Sequence, residues 1–412
     1  MARGDTDADH VDVLIVGAGI SGVDAAFRLK TRCKDHSFLI LEARERVGGT
    51  WDLFRYPGVR SDSDIFTLGF PFRPWSSDKS IVDGAAIRDY VEETAREFGI
   101  FERIRFGHRV VRASWSSTEQ RWTVEAAQDG VTHRLTCSFL FACSGYYDYD
   151  SGYRPKWKGE KNFRGQIVHP QFWPEDLDLT GKNVAVIGSG ATAVTLVPAL
   201  AETAAHVTMV QRTPSYIVAR PARDSIARFL QHWLPPGAAH TAIRWKNVLL
   251  TIFMYSRARK QPEKAANFIK QLIRKELPDD YPIDRDFTPP YKPWDQRLCL
   301  VPDGDLFAAM RSGKVAIATG AIERFTTGST MTYSPITALT NRFTVELVTS
   351  TDQGATFGAA LEQVANDLAD AAEPRIVRRT VITGDDLRRH LDDSAGGARG
   401  ATTLALTSGG VD

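Results

Sequence analysis

Residues 11–22 read VDVLIVGAGISG, an apolar run that passes directly into a glycine-rich turn. The run predicts a buried strand, and DAAFRLK after the turn predicts the first helix of a β-α-β unit. Gly17 permits the tight turn, Gly19 lets the backbone approach a pyrophosphate, and Gly22 lets the helix pack closely on the strand. We therefore expect a dinucleotide at this turn, with Ser21 among its contacts at the helix N-terminus.

A second short strand, FLIL at residues 38–41, ends in Glu42. This acid stands twenty residues after Gly22, where a carboxylate accepts hydrogen bonds from the ribose hydroxyls of a dinucleotide. The spacing favours a real nucleotide site over the alternative, a glycine turn without a ligand. The motif by itself does not separate FAD from NAD.

The same pattern restarts at Asn183, where NVAVI is followed by GSGATA and a second helix. Gly188, Gly190 and Ala193 form GxGxxA, and the neighbouring residues of the turn are expected to contact the cofactor: Ser189, Ala191, Thr192 and Val194. The next strand ends in Arg212 and Thr213, without a carboxylate. Arg212 can clamp a 2′-phosphate that an acid would repel, which favours NADPH over NADH. The alternative for Arg212 is a solvated surface charge.

Two such units in one chain require two different dinucleotides. Flavin with nicotinamide is the ordinary pairing, and the sequence GGTW at residues 48–51 follows the second strand of the first unit. We therefore expect FAD at the first turn and NADPH at the second.

The whole chain has the composition of an ordinary globular protein. It has 412 residues, a net charge of +1 and 43% hydrophobic residues, which gives no electrostatic reason to expect nucleic acid as a partner. Its four cysteines show no metal-ligand spacing, so no metal site is expected, and they suit a reducing cytoplasm. The polar N-terminus and the lack of a bilayer-length apolar run also favour a cytoplasmic protein. Shallow membrane contact near Trp245 stays open as an alternative.

The order of strand-like and helix-like segments predicts an α/β chain with two Rossmann-like domains, a small antiparallel β insertion and a helical insertion. The expected domains are the first part of the FAD domain, the first part of the NADPH domain, the helical insertion, the end of the NADPH domain, and a return to the FAD domain with a divergent tail. Their boundaries are 1–150, 151–220, 221–280, 281–305 and 306–412. The composition of 351–412 favours partial disorder.

Residues 163–174, FRGQIVHPQFWP, match FxGxxxHxxxWP. This motif resembles the fingerprint of Baeyer–Villiger monooxygenases in the flavin-containing monooxygenase superfamily, and Trp173 favours that branch over the N-oxygenating one. GGTWDLFRYPGVRSDSD at 48–64 and PYKPWDQRLCLVPDGDLF at 290–307 extend the resemblance, toward the ethionamide-activating type, over about residues 10–327. His169 and Trp173 are interpreted in part as packing residues between domains, and they are not expected to touch the substrate.

The resemblance implies roles for several further residues. Those that line the flavin are Thr50, Trp51, Asp52 and Leu53, and Val110 contacts FAD through its backbone. Arg60, Ser61 and Asp62 lie where flavin and nicotinamide meet. Arg297 is the active-site arginine, and Asp62 pairs with it and sets its position. A structural ion pair is the alternative for both.

The same resemblance implies a reaction in which NADPH reduces the flavin and O2 adds at its C4a position. The peroxide must stay anionic to attack a ketone and give an ester, and a guanidinium keeps its charge without donating its proton. The expected substrates are small apolar ketones, and sulfides or thioamides that are oxidised at sulfur. Two alternatives stay open: an N- or S-oxygenating enzyme that does not need Arg297, and an inactive remnant with an altered C-terminus.

The resemblance ends at about Thr327. Family members continue with a last strand of the flavin domain that ends in an ATG-like turn, and Val381-Ile382-Thr383-Gly384 resembles that turn only superficially. If the strand is missing, we expect weaker flavin binding and a less stable first domain. The oligomeric state stays open.

Overall fold

The structure is a computed structural model that describes residues 9–326, 330–334, 345–349 and 403–405. The chain divides into two compact units. The first contains the described residues of Met1–Leu53, Ala85–Tyr147 and Glu373–Gly409, and the second those of Phe54–Gly84 and Asp148–Ala372.

The first unit is built on one sheet. Its strands are β1 (Asp9–Val16), β2 (Phe38–Leu41), β3 (Ile104–Arg105), β4 (Arg109–Ser116), β5 (Arg121–Gln128) and β6 (Val131–Ala142), in the order β3-β2-β1-β6-β5-β4. β1 pairs in parallel with β2 and β6, while β5 pairs antiparallel with β4 and β6. The parallel part is the predicted dinucleotide unit, and the antiparallel part is the predicted β insertion.

The helices of this unit are α1 (Ile20–Arg32), α2 (Thr50–Leu53) and α4 (Gly84–Glu97), the last of which begins one residue before the unit boundary. α1 follows β1 directly and buries its Gly22, Val23 and Ala26 face, as expected for a helix that packs on a sheet. Leu14, Leu41 and Leu140 lie in one buried cluster of the sheet.

The second unit repeats the arrangement around a parallel sheet. Its strands are β7 (Ile167–Val168), β8 (Asn183–Ile187), β9 (His206–Gln211), β12 (Val315–Thr319) and β15 (Val345–Thr349), in the order β12-β9-β8-β15-β7. β10 (Tyr216–Arg220) pairs in parallel with β11 (Leu298–Pro302), and β13 (Ala321–Thr326) forms a hairpin with β14 (Thr330–Ser334). α5 (Ala191–Ala201) connects β8 to β9. The second β-α-β unit is therefore present, and the predicted fold class is confirmed.

α5 is apolar on nearly all sides because the core surrounds it, with Val194, Leu196 and Val197 fully buried. The other helices of this unit are α3 (Ile65–Leu68), α6 (Ser225–Trp233), α7 (Pro236–Lys260), α8 (Pro262–Glu276), α9 (Ile283–Asp286) and α10 (Asp305–Arg311). α6, α7 and α8 occupy the segment in which the sequence predicted a helical insertion.

Beyond Thr327, the described residues add β14 and β15 to the second unit and one strand to the first. β15 pairs with β7 and β8, and β16 (Thr403–Ala405) pairs in parallel with the end of β6. A strand of the tail therefore does extend the first sheet. Val381–Gly384 and most of 351–412 lie outside the described residues, and so do the predictions made for them.

Candidate functional site

The first glycine turn contains two glycines that the backbone requires and one, Gly19, where a Cβ would make only an ordinary van der Waals contact. Gly17 has φ +105°, and a Cβ there would lie 2.5 Å from the carbonyl oxygen of Cys143. A Cβ on Gly22 would lie 1.9 Å from the carbonyl oxygen of Gly17. A Cβ on Gly19 would meet nothing nearer than Gly49 Cα at 3.6 Å. Gly19 caps α1 without a side-chain hydrogen bond, so the helix presents its first N–H groups beside this open position.

Glu42 is buried directly beside this turn. One carboxylate oxygen accepts the N–H of Ala18 at 2.7 Å, and the other accepts the N–H of Arg44 at 2.9 Å. Burial raises the pKa of Glu42, although both hydrogen bonds oppose that shift. Each oxygen keeps a lone pair that can accept a ribose hydroxyl. Glu42 therefore holds the turn in shape and suits the predicted ribose contact.

The loop after β2 carries the predicted flavin-lining residues on α2. Asp52 is buried, and its Oδ2 accepts hydrogen bonds from two guanidinium nitrogens of Arg44 at 2.7 and 2.9 Å, while its carbonyl oxygen accepts a third at 3.2 Å. Leu53 is buried, whereas Thr50 and Trp51 are half-buried. The Arg44–Asp52 pair therefore fixes the loop, and Arg44 is a residue that the sequence analysis missed.

Val110 lies at an irregularity of β4. The pairing of β4 with β5 shifts register between Val110 and Arg112. A bulge of this kind leaves backbone groups outside the ladder. This geometry is compatible with the predicted backbone contact of Val110 to FAD.

The second glycine turn has the same backbone form but a different neighbour. Gly188 has φ +132°. A Cβ on Gly190 would lie 2.1 Å from Nη1 of Arg297, so the guanidinium rests against the N-terminus of α5. A cation at a helix N-terminus opposes the helix dipole, and a bound anion between the two would stabilise it. The structure thus brings Arg297 to the predicted phosphate turn.

Hydroxyl groups connect this turn to the loop after β9. Ser189 Oγ donates to the carbonyl oxygen of Thr213 at 3.0 Å and lies 3.0 Å from Ser215 Oγ. Arg212 is exposed at the end of β9. Tyr291, which was also missed, donates its hydroxyl to the carbonyl oxygen of Arg297 at 3.1 Å.

Residues 54–60 pack on α5. Tyr56 is buried and its hydroxyl pairs with Thr192, and burial raises the pKa of Tyr56 to about 12. A Cβ on Gly58 would lie 2.9 Å from Ala199 Cβ. The charge of Asp62 also raises the pKa of Tyr56, and the charge of Arg60 opposes that shift. The pairing of Asp62 with Arg297 stays a prediction.

Arg60 has a partner that lies far away in the sequence. Its guanidinium contacts Asp305 at 2.6 and 3.4 Å, while its buried Nε has no hydrogen-bond partner. Ser61 is buried, donates its hydroxyl to the carbonyl oxygen of Ser63 and donates its N–H to that of Val82. An unsatisfied buried donor suits a ligand contact, and Asp305 is a further residue that the sequence analysis missed.

The fingerprint residues lie within the second unit. The ring of His169 rests against Gly152, where a Cβ would lie 2.2 Å from Cε1, and its Nδ1 accepts the N–H of Gln171 at 3.2 Å. Burial lowers the pKa of His169. Trp173 packs against the core cluster around α5. Both contacts are packing contacts within the second unit, and the expected packing between domains stays a prediction.

Two family models and several known proteins match parts of this chain. A flavin-binding monooxygenase-like model matches residues 68–227, and an NAD(P)-binding Rossmann-like model matches residues 15–76. The FAD-containing monooxygenase EthA of Mycobacterium tuberculosis is 58% identical over 319 residues, which cover 77% of this chain and 65% of EthA. The chain thus spans less than two thirds of the length of this relative.

Solved structures share the fold at low identity. Steroid monooxygenase bound to NADP has a TM-score of 0.67 at 23% identity. The match covers 84% of this chain and 73% of the steroid monooxygenase chain. OTEMO in complex with FAD and NADP has a TM-score of 0.64 at 21% identity, and the match covers 85% of this chain and 74% of the OTEMO chain. The resemblance predicted from the motifs is confirmed: in its matched region this chain is similar to the EthA-type FAD-containing monooxygenases and carries the FMO-like region.

Proposed function

We propose that the chain binds FAD at the first glycine turn and NADPH at the second, and that it is a Baeyer–Villiger monooxygenase. A ketone, O2, NADPH and a proton would give an ester, water and NADP+. Small apolar ketones are the proposed substrates, and sulfides or thioamides would be oxidised at sulfur. The names of the relatives and the FxGxxxHxxxWP motif support this class of reaction.

The first turn fits FAD. The open position at Gly19 and the free N–H groups of α1 suit a pyrophosphate, and Glu42 suits an unmodified ribose. The half-buried Thr50 and Trp51 follow on α2. The second turn fits NADPH, since Arg212 is exposed at the end of β9, where a 2′-phosphate would need a cation.

The contact between Arg297 and the turn at Gly190 carries the proposal. When bound, NADPH would supply a hydride and the flavin would activate O2. A guanidinium keeps its charge in proteins and has no proton to give up readily, so Arg297 would stabilise negative charge without quenching it. Tyr291 holds the backbone of Arg297, and the Ser189–Thr213 hydrogen bond holds the turn that Arg297 rests against.

The visible spectrum of the purified chain with FAD, before and after NADPH is added without oxygen, tests both cofactors. Ester formation from a ketone and sulfoxide formation from a sulfide are then compared in wild type, Arg297→Ala and Arg297→Lys. We expect a yellow protein that NADPH bleaches, and loss of both products in Arg297→Ala with flavin reduction intact.

Arg274→Ala, which removes an exposed arginine of α8, is the matched control. A protein that stays colourless with FAD would contradict the proposal and favour an inactive remnant. Unchanged sulfoxide formation in Arg297→Ala, with no ester from wild type, would favour the N- or S-oxygenating class.

We also propose a cytoplasmic location. Cys33, Cys137, Cys143 and Cys299 are all buried free thiols, and burial raises the pKa of Cys137 and Cys143 to about 12. Reduced thiols are typical of a reducing compartment. Fractionation of the native host with an antibody tests this, and recovery from the extracellular medium would contradict it.

A further inference from the structure

Helix α7 carries seven consecutive exposed residues, LLTIFMY at positions 249–255. Seven residues make about two helical turns, so these side chains point to every side of the helix. Six of the seven are large and apolar, with 43% to 61% of their surface exposed. A helix on the surface of a globular protein normally keeps one polar face, and this segment has none. We call residues 249–255 the apolar belt.

The helix is fixed on both sides of the apolar belt. Before it, Arg244 donates to the carbonyl oxygens of Phe66 and Gly69 at 2.8 Å each, and the buried Asn247 donates to Asp64 at 2.8 Å. After it, Ala258 is buried. The exposure therefore belongs to a helix held in place at both ends, and not to a frayed end.

The neighbouring helix α6 continues the apolar surface. Ile226, Phe229 and Trp233 follow the i, i+3, i+7 spacing of one helix face and are 53% to 69% exposed. Lys246 pairs with Asp224, the residue that caps α6. This ion pair brings the N-terminus of α6, and with it Ile226, to the start of the apolar belt.

The helices that carry this apolar surface are rich in positive charge. Residues 223–276 contain eleven Lys and Arg but three Asp and Glu, in a chain whose net charge is +1. Three carboxylates from outside the segment pair with it: Asp78 with Arg223, Asp284 with Lys270, and Asp295 with Arg259. Arg311, also outside the segment, pairs with Glu276, so a net charge of +6 remains when all four outside partners are counted. Arg257 and Lys260 are exposed and lie within about 8 Å of the apolar belt along the helix axis.

We propose that this surface docks on an anionic lipid bilayer. The apolar belt would enter the boundary between headgroups and acyl chains, and the Lys and Arg of these helices would contact lipid phosphates. A protein groove contacts one face of a helix, whereas a bilayer surrounds an apolar segment from every side that enters it. The apolar belt is far shorter than the ~20 residues of a spanning helix, and among the described residues no helix is long and apolar enough to cross a membrane. The contact is therefore interfacial.

Co-sedimentation of the full chain with vesicles tests the proposal. We expect binding to vesicles of phosphatidylcholine mixed with phosphatidylglycerol, at least roughly tenfold weaker binding to phosphatidylcholine alone, and weakening as salt rises. Phe253→Glu and Leu249→Glu should each reduce binding at least tenfold, because a carboxylate would enter the apolar layer. Val131→Glu is the matched control, since Val131 is 58% exposed in the first unit.

A dye on Ile252→Cys gives a second measurement, because the four native cysteines are buried and react slowly. Its emission should shift to the blue with anionic vesicles, while the same dye on Val131→Cys should not respond. Equal binding of Phe253→Glu and wild type, or no binding of wild type, would overturn the proposal. A third outcome would also overturn it: wild type forms an oligomer, does not bind vesicles, and is dissociated by Phe253→Glu. The occupant of the surface would then be a second copy of the chain.

Discussion

Gly19→Ala should separate cofactor binding from folding at the first turn. Gly19 has φ −77° and ψ −171°, which alanine adopts without strain, and the new Cβ would have its nearest neighbour at 3.6 Å. The folded chain without cofactor should therefore lose no more than about 1 kcal/mol, the ordinary cost of alanine at a helix N-cap.

The effect on FAD should be much larger. The methyl group would occupy the open position through which a pyrophosphate reaches the N–H groups of α1. Loss of one or two charge-assisted hydrogen bonds costs about 3 kcal/mol, which corresponds to a Kd roughly a hundredfold higher. Gly22→Ala should behave in the opposite way, because its Cβ would lie 1.9 Å from the carbonyl oxygen of Gly17. Overpacking against backbone should cost about 3 kcal/mol of folding stability.

The assay pairs a fluorescence titration of FAD with thermal unfolding of the chain free of FAD. Gly19→Ala should melt within about 4 °C of wild type and bind FAD roughly a hundredfold more weakly, while Gly22→Ala should melt at a clearly lower temperature. FAD binding by Gly19→Ala with wild-type affinity would refute the assignment of this turn. A large loss of stability in Gly19→Ala would show that the space beside Gly19 is not open.

Three further predictions concern the second unit. Gly190→Ala should weaken NADPH binding clearly and lower the melting temperature little, because the new Cβ meets only the flexible end of Arg297, which can move. A titration with NADPH measures the binding, and thermal unfolding measures the stability. Arg212→Ala should raise KM for NADPH by about ten- to a hundredfold and leave KM for NADH unchanged, since only NADPH has the 2′-phosphate; equal effects on both would contradict the assignment. Burial and then Arg244 lower the pKa of His240. The unfolded chain therefore takes up a proton before the folded chain as pH falls below about 6.5, so stability should fall there, and His240→Gln should flatten that part of the melting-temperature profile.

The sequence predicted the parts of the site that are local. A strand, a glycine turn, a helix and Glu42 lie within about thirty residues, and their spacing is set by the β-α-β unit itself. The partners of these residues are not local. Arg60 pairs with Asp305, which is 245 residues away, and no periodicity connects two such positions.

The same limit applies to surfaces. The apolar run in α7 is visible in the sequence, but the same run occurs in buried and in exposed helices. Whether this helix is buried depends on how the neighbouring helices pack. Arg297 was predicted from its motif, whereas its contact with the turn at Gly190 depends on how β11 pairs with β10.

The two glycine turns are alike in backbone and differ in the charge beside them. At the first, Glu42 accepts the N–H of Ala18, so a buried carboxylate offsets the positive helix end and accepts neutral hydroxyls. At the second, the guanidinium of Arg297 adds to the positive end of α5, and Arg212 follows β9. We therefore expect a dinucleotide with an additional phosphate to be favoured at the second turn and repelled at the first. It follows that exchanging the cofactors would require exchange of these charges, because the glycines serve either dinucleotide equally well.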